Sequence, residues 1–176
     1  MAYTTYISLR AIGPVPRDLL ISLVRPLAAR FGRPIRVVEP LPFPADLTPL
    51  NGQYPSRPFL WLLAQARQPE EEAVVGLVDA DLTAPGLNFI FGEADRRSGV
   101  AVVALARLRQ GADPATFQRR VLIETVHELG HLAGLGHCTT PGCVMRFSNT
   151  LADVDEKTPD FCPRCEAQIA RPTSPV

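Results

Sequence analysis

Apolar runs alternate with segments of helical spacing along most of the chain. Tyr3 to Leu9 alternates weakly and carries Thr, Tyr and Ile, which predicts a first strand, and Pro14 to Arg30 spaces its apolar positions as a helix does. Ile35 to Val38 reads as a short β-branched strand. Six prolines between Pro40 and Pro58 make Glu39 to Pro58 an extended loop, and a short helix is expected over Phe59 to Arg67. Ala73 to Val78 (AVVGLV) and Val100 to Leu105 (VAVVAL) are apolar throughout and bounded by turn residues, the pattern of strands buried on both faces. Asn88 to Gly92 (NFIFG) is a third, shorter strand candidate before the turn EADRRSG. This order of elements predicts an α/β fold with a mixed, mostly parallel twisted sheet flanked by helices.

The strongest helix signal starts at Asp113, an N-cap residue, with Pro114 at the first helical position, and spans roughly 114–133 before a break at Gly134. Phe117, Val121, Leu129 and Leu132 supply its packing, while His127 and His131 lie one turn apart on one face. Beyond Gly134 the chain breaks into short pieces punctuated by Gly and Pro. Leu135 to Val176 is too short for its own core, because segments near or below about 40 residues generally need a metal, disulfides or a partner. One domain is expected over 1–176, with an N-terminal subdomain over 1–134, a small C-terminal subdomain over 135–170 and a frayed tail over 171–176.

Composition sharpens this picture in three ways. A chain of 176 residues with 46% hydrophobic and 20% charged residues builds one cored domain rather than a disordered segment. Eighteen basic residues balance eighteen acidic ones, which removes the attraction that nucleic-acid and anionic-membrane binders use. The N-terminus lacks a basic region and is interrupted by Gly13, Pro14 and Pro16, and the longest apolar run, Val100 to Ala106, is far short of the roughly 20 residues of a membrane span. A cytoplasmic monomer with no nucleic-acid or membrane partner is therefore expected. All three His and all four Cys fall between His127 and Cys165, and clustered Cys and His in a reducing compartment read first as metal ligands.

The central string runs from His127 through Glu128 and His131 to His137. Residues i and i+4 of a helix project from one side, so His127 and His131 can share a zinc while Glu128 approaches its water. His137 joins them only if the helix stops, because ten further residues of helix would carry it roughly 15 Å away. Gly134 can make that turn in a left-handed conformation. Three neutral imidazoles leave an open fourth position, the mark of a catalytic site, where a zinc-bound water activated by Glu128 hydrolyses an amide and the proton passes to the leaving amine. Histidines on an ordinary helix are the competing reading, but Gly at +7 and His at +10 make an accidental match rare. With Met145 downstream, the pattern is similar to the metzincin fingerprint, in which that Met forms an apolar floor beneath the metal.

Cys138 and Cys143, followed by the C-x-x-C of Cys162 and Cys165, have the layout of a closed Cys₄ zinc site with no position for substrate. Such a site is structural, and its binding free energy becomes folding free energy for the segment that lacks a core. Two disulfides and a redox-active C-P-R-C are the alternatives, the latter without a thioredoxin-like setting. Because His137 and Cys138 are neighbours, the two metals are expected on the order of 10 Å apart.

HELGHLAGLGHCTTPGCVMRFSN followed by DEKTPDFCPRC resembles the archaemetzincins, zinc metalloproteases in which the long histidine motif runs directly into Cys and on to C-x-x-C. The resemblance continues upstream through GLVDADLTAPGLNFIFGEADRRSGVAVVALARL and weakly to NGQYPSRPFL. It implies a compact metzincin-like fold and a zinc peptidase with two Zn²⁺. In this reading His127, His131 and His137 hold the catalytic zinc, Glu128 is general base, and Cys138, Cys143, Cys162 and Cys165 hold the structural zinc. A peptide or unfolded protein is the implied substrate. In that clan the outer strand pairs with an extended substrate, which makes Asn88, Phe89, Ile90, Phe91 and Gly92, with Glu93, the substrate-binding candidates. A zinc-holding peptide-binding module and a hydrolase of a non-peptide amide are the alternatives.

Other residues read more plainly. Glu124, one turn before His127, is expected to be a solvated carboxylate rather than an orienting group. Ser148, Asn149, Asp155 and Lys157 match family positions, although capping and ion pairing explain them equally. Arg96 with Arg97 and Arg119 with Arg120 are expected on solvated turn and helix faces. No Tyr follows Met145 to stabilise an oxyanion.

Overall fold

The computed structural model describes residues 5–169; Tyr3, Thr4 and the expected tail 171–176 lie outside them. The elements in chain order are β1 (Tyr6–Ile12), α1 (Arg17–Phe31), β2 (Ile35–Val37), β3 (Tyr54–Pro55), α2 (Arg57–Ala66), β4 (Glu71–Val78), β5 (Leu82–Thr83), β6 (Gly92–Asp95), β7 (Val100–Ala104), α3 (Leu105–Leu108), α4 (Pro114–Leu132), α5 (Leu151–Glu156) and α6 (Pro163–Ile169). Five strands form one sheet in the order β2-β1-β4-β7-β6. All its pairs are parallel except β6 against β7, so β6 is an antiparallel edge. The α/β class and the mostly parallel sheet agree with the pattern of apolar runs. β3 and β5 pair in a separate ribbon.

Alternation along the buried strands creates two cores. Val75, Leu77, Ala101 and Val103 pack with Leu20, Leu23 and Leu27 of α1 and Val121, Ile123 and Val126 of α4. Val74, Val78, Val100 and Val102 pack with Phe59, Leu60 and Leu63 of α2. Both faces of β4 and β7 are thereby covered, which is why their sequences are apolar at every position.

α4 starts where the sequence placed it: the Asp113 carboxylate accepts from the Thr116 N–H at 2.7 Å, and Pro114 occupies the first turn. It ends in a reversal at Gly134, whose φ of 97° favours glycine, and the Leu135 N–H returns to the Gly130 carbonyl at 2.9 Å. The chain beyond does not form a separate apolar cluster among the described residues. Leu135, Val144, Met145, Val154 and three of its cysteines join the larger core beneath α4.

Three local readings need correction. The expected strand Asn88 to Gly92 is displaced to β6, which begins at Gly92; upstream of it the backbone pairs only through an isolated bridge from Ile90 to Leu82. The expected loop to Pro58 already contains β3 and the start of α2, since Pro58 sits in the first helical turn, where its missing N–H has no partner to lose. Leu105 opens α3 rather than ending β7. No described helix is long and apolar enough to cross a membrane.

Candidate active site and metal centres

The turn at Gly134 brings His137 back beside His127 and His131. Ring centroids lie 4.6 Å apart for His127 and His131, 4.9 Å for His131 and His137, and 5.4 Å for His127 and His137. One nitrogen from each ring lies within 4.8 Å of the others. His127 Nδ1 is 2.7 Å from the Val144 carbonyl, and His131 Nδ1 is 2.8 Å from the Leu135 carbonyl. A carbonyl only accepts, so both Nδ1 atoms donate and both Nε2 atoms keep a lone pair. Those Nε2 atoms face each other at 3.0 Å with no hydrogen between them. Two lone pairs so placed repel, and a shared cation removes the repulsion; the donor set fits a metal ion. Burial, reinforced by the charge of Lys157, lowers His127 well below the ordinary imidazole range, and burial lowers His137 as well, keeping both neutral as metal ligands must be.

Glu128 is buried between α4 and the edge strand. A Cβ on Gly92 would stand 2.6 Å from its Oε1, so only a glycine there leaves room for the carboxylate. Burial first, then the charges of Glu124 and Glu93, push Glu128 well above the usual carboxylate range. A cavity of about 750 Å³ opens over this group and the three His, walled by Asn88, Phe89, Ile90, Phe91 and Gly92. Glu93, Arg96, Phe147, Ser148 and Asn149 also line it. Of these, Glu93 was among the candidates and Phe147 carried no signal in the sequence; the Phe147 ring lies 5.1 Å from that of His137. Met145 is fully buried and packs against Gly130 on α4, where a side chain would collide with its sulfur.

Glu124 departs from expectation. It is 3% exposed and ion-paired to Lys157, whose Nζ lies 2.9 Å from Oε1 and 3.3 Å from the Arg146 carbonyl. Burial raises the Glu124 carboxyl, and Lys157 opposes that rise. Arg120 is likewise buried rather than solvated, holding both Asp155 oxygens at 2.8 Å and the carbonyls of Leu108 and Gln110. Arg119 donates to the carbonyls of Asp155 and Lys157. Arg96 and Arg97 are exposed in the β6–β7 turn as expected, yet Arg96 also reaches the cleft wall.

The four cysteines are free thiols, which rules against two disulfides in this structure. Cys138 and Cys162 Sγ lie 3.8 Å apart, Cys143 and Cys165 Sγ 3.9 Å, and all four fall within 4.8 Å. A tetrahedron with arms of about 2.3 Å has edges of about 3.8 Å, so the spacing fits a zinc ion. Burial pushes the Cys138 thiol up, but hydrogen bonds from Thr140 and Arg164 outweigh it and bring the group down to about 6, whereas burial raises Cys143 and Cys165. Four thiolates this close would repel one another unless a cation lay among them, so the group could hold a metal ion.

A family model described as Peptidase family M54 matches residues 71–171. The chain is 38% identical over 166 residues to the archaemetzincin of Pyrococcus furiosus, covering 88% of this chain and 86% of that protein. It superposes on the crystal structure of archaemetzincin from Methanopyrus kandleri with a TM-score of 0.81 at 36% identity, over 93% of each chain. On a zinc-dependent peptidase from Methanocorpusculum labreanum the TM-score is 0.83 at 28% identity, over 93% of this chain and 99% of that one.

Proposed function

The chain belongs to peptidase family M54, the archaemetzincins, and is a zinc metallopeptidase; we propose that it cleaves peptide bonds with Glu128 as general base, and that it holds a second, structural zinc. The facing Nε2 lone pairs of His127 and His131, 3.0 Å apart with His137 alongside, are the observation that carries this reading. A zinc ion held by these three residues supplies Lewis acidity toward a water and toward the scissile carbonyl.

Glu128 takes the proton of the attacking water and returns it to the leaving amine, and its burial beside β6 gives it the raised basicity that this transfer needs. The open edge of β6 and the segment Asn88 to Gly92 hold the peptide extended through main-chain hydrogen bonds. The carbonyls of Val144 and Leu135 fix the orientation of His127 and His131, and Met145 forms the apolar floor. Cys138, Cys143, Cys162 and Cys165 hold the second zinc, which fastens residues 135–170 to a single domain. Four reduced thiols suit the cytoplasm, the proposed location.

The test is incubation of the zinc-loaded protein and of Glu128→Ala with a diverse peptide mixture, with products read by mass spectrometry. Cleavage by the wild type that falls by at least about a hundredfold in the variant is expected. Equal cleavage by both, or none by either, overturns the assignment.

A further inference from the structure

We propose that Arg96 anchors a carboxylate of the bound peptide where the catalytic cleft opens into a second, cationic groove, an inference that rests on the peptidase reading above. Side chains alternate along β6 and into the turn that follows. Glu93 turns toward Ser56 at the start of α2 and accepts its hydroxyl, whereas Gly92 lies against Glu128 and Arg96 lies against Gly134, both on the α4 side. The Arg96 guanidinium stands 2.9 Å from the point where a Gly134 Cβ would be, over the C-terminal end of α4. The partial negative charge of a helix end favours a cation there. Among the described residues no ion pair engages Arg96.

Arg96 lines both the cavity over the histidines and a neighbouring groove of about 960 Å³. In that groove Arg30 and Arg33 are neutralised by Asp160 and Glu72, and Arg67 is committed to the backbone carbonyls of Glu71, Glu72 and Ser98. Arg96 adds positive charge at the edge shared with the cleft, while Arg97 lies beside Asp95 and Glu166 contributes a carboxylate to the groove wall, in a chain whose acidic and basic residues are equal in number. A peptide along the open edge of β6 advances about 3.3 Å per residue and reaches Arg96 about four residues from Gly92. Its partner is therefore a carboxylate about three to five residues from the scissile bond, either an Asp or Glu side chain or the C-terminus of the peptide. Both offer the guanidinium the same two oxygens.

The experiment compares zinc-loaded wild type, Arg96→Gln and Arg25→Gln, the last removing the same charge from an exposed position on α1. Probes are a neutral amidated peptide, a set carrying one Glu at each successive position, and the neutral peptide with a free C-terminus. Binding is read by fluorescence anisotropy in a Glu128→Ala background, and cleavage by mass spectrometry with Glu128 intact. Wild type is expected to favour a carboxylate-bearing probe by about fivefold, the upper range for a solvent-exposed charge pair. The ratio falls to about one in Arg96→Gln, persists in Arg25→Gln, and shrinks at high salt. A Glu-dependent preference assigns the side chain as the source, and an amide-sensitive one assigns the terminus. No preference in wild type, or an undiminished one in Arg96→Gln, overturns the proposal and makes Arg96 a helix-end cation alone. Preference in binding without any cleavage supports it while overturning the peptidase reading, and cleavage without preference does the reverse.

Discussion

The Lys157 ammonium meets the Glu124 carboxylate at 2.9 Å in the interior, joining residues 33 positions apart in sequence. The contact ties the end of α5 to α4 one turn before His127, and the second bond of Lys157, to the Arg146 carbonyl, extends the tie to the residue after Met145. A single buried cation thus connects the helix that carries two histidines with the segment that supports them.

Removing one partner of a buried pair leaves the other charge without compensation, at a cost of about 3–5 kcal/mol. Lys157→Met is expected to lose that much stability in urea unfolding, and Glu124→Leu added to it should recover most of the loss. Unfolding midpoints that coincide for Lys157→Met and wild type would contradict a buried pair.

Gly92→Ala places a methyl group where the Glu128 carboxylate lies. The carboxylate must shift, and a displacement near 1 Å at a reacting group costs up to about a hundredfold in rate. A fall in kcat of that order is expected with zinc content unchanged by elemental analysis. An unaltered kcat would show that Glu128 has slack at this position.

Elemental analysis of the purified protein should give two zinc per chain. In Cys162→Ser the count should drop and residues 135–170 should lose their fold, because their buried side chains reach the core only when that segment is gathered. Proteolytic nicking confined to that segment is a direct readout; full zinc content with unchanged melting would count against a second metal.

Acid should weaken the attachment of α5. The hydrogen bond from Arg120 holds the Asp155 carboxyl below its usual range, more strongly than burial raises it. A depressed folded pKa gives stability that is complete above the unfolded value, about 3.9, and is lost as pH falls through the folded one. Asp155→Asn should therefore lower stability at neutral pH and flatten its decline below about pH 4. Parallel pH profiles for variant and wild type would exclude this pair as a source of acid sensitivity.

Features governed by neighbours in sequence were legible in advance. The Asp113 cap, Pro114, the paired histidines and the reversal at Gly134 each depend on a few adjacent residues, and β4 and β7 announce themselves because burial on both faces leaves no polar position. Features governed by distant partners were not. Glu124 and Arg120 look like any charged residue on a helix until Lys157 and Asp155 arrive from 33 and 35 positions away. The edge strand β6 reads GEAD, half-buried throughout, while its apolar neighbours Ile90 and Phe91 turn into separate cores; amphipathic edges give a weaker pattern than buried strands. The Thr150 and Asp153 capping box was a local signal that could have marked α5.

His137 and Cys138 share a peptide bond while facing different ligand sets. With zinc in both sets, as proposed, occupancy of one would bias the backbone that presents the other, and thermodynamic linkage would make that influence mutual: whatever factor the thiolate site contributed to metal affinity at the histidines, the histidines would return to the thiolates. Where that factor exceeds one, the two zinc ions of the proposed function would load together, and scarce zinc would favour fully loaded and fully empty chains over half-loaded ones.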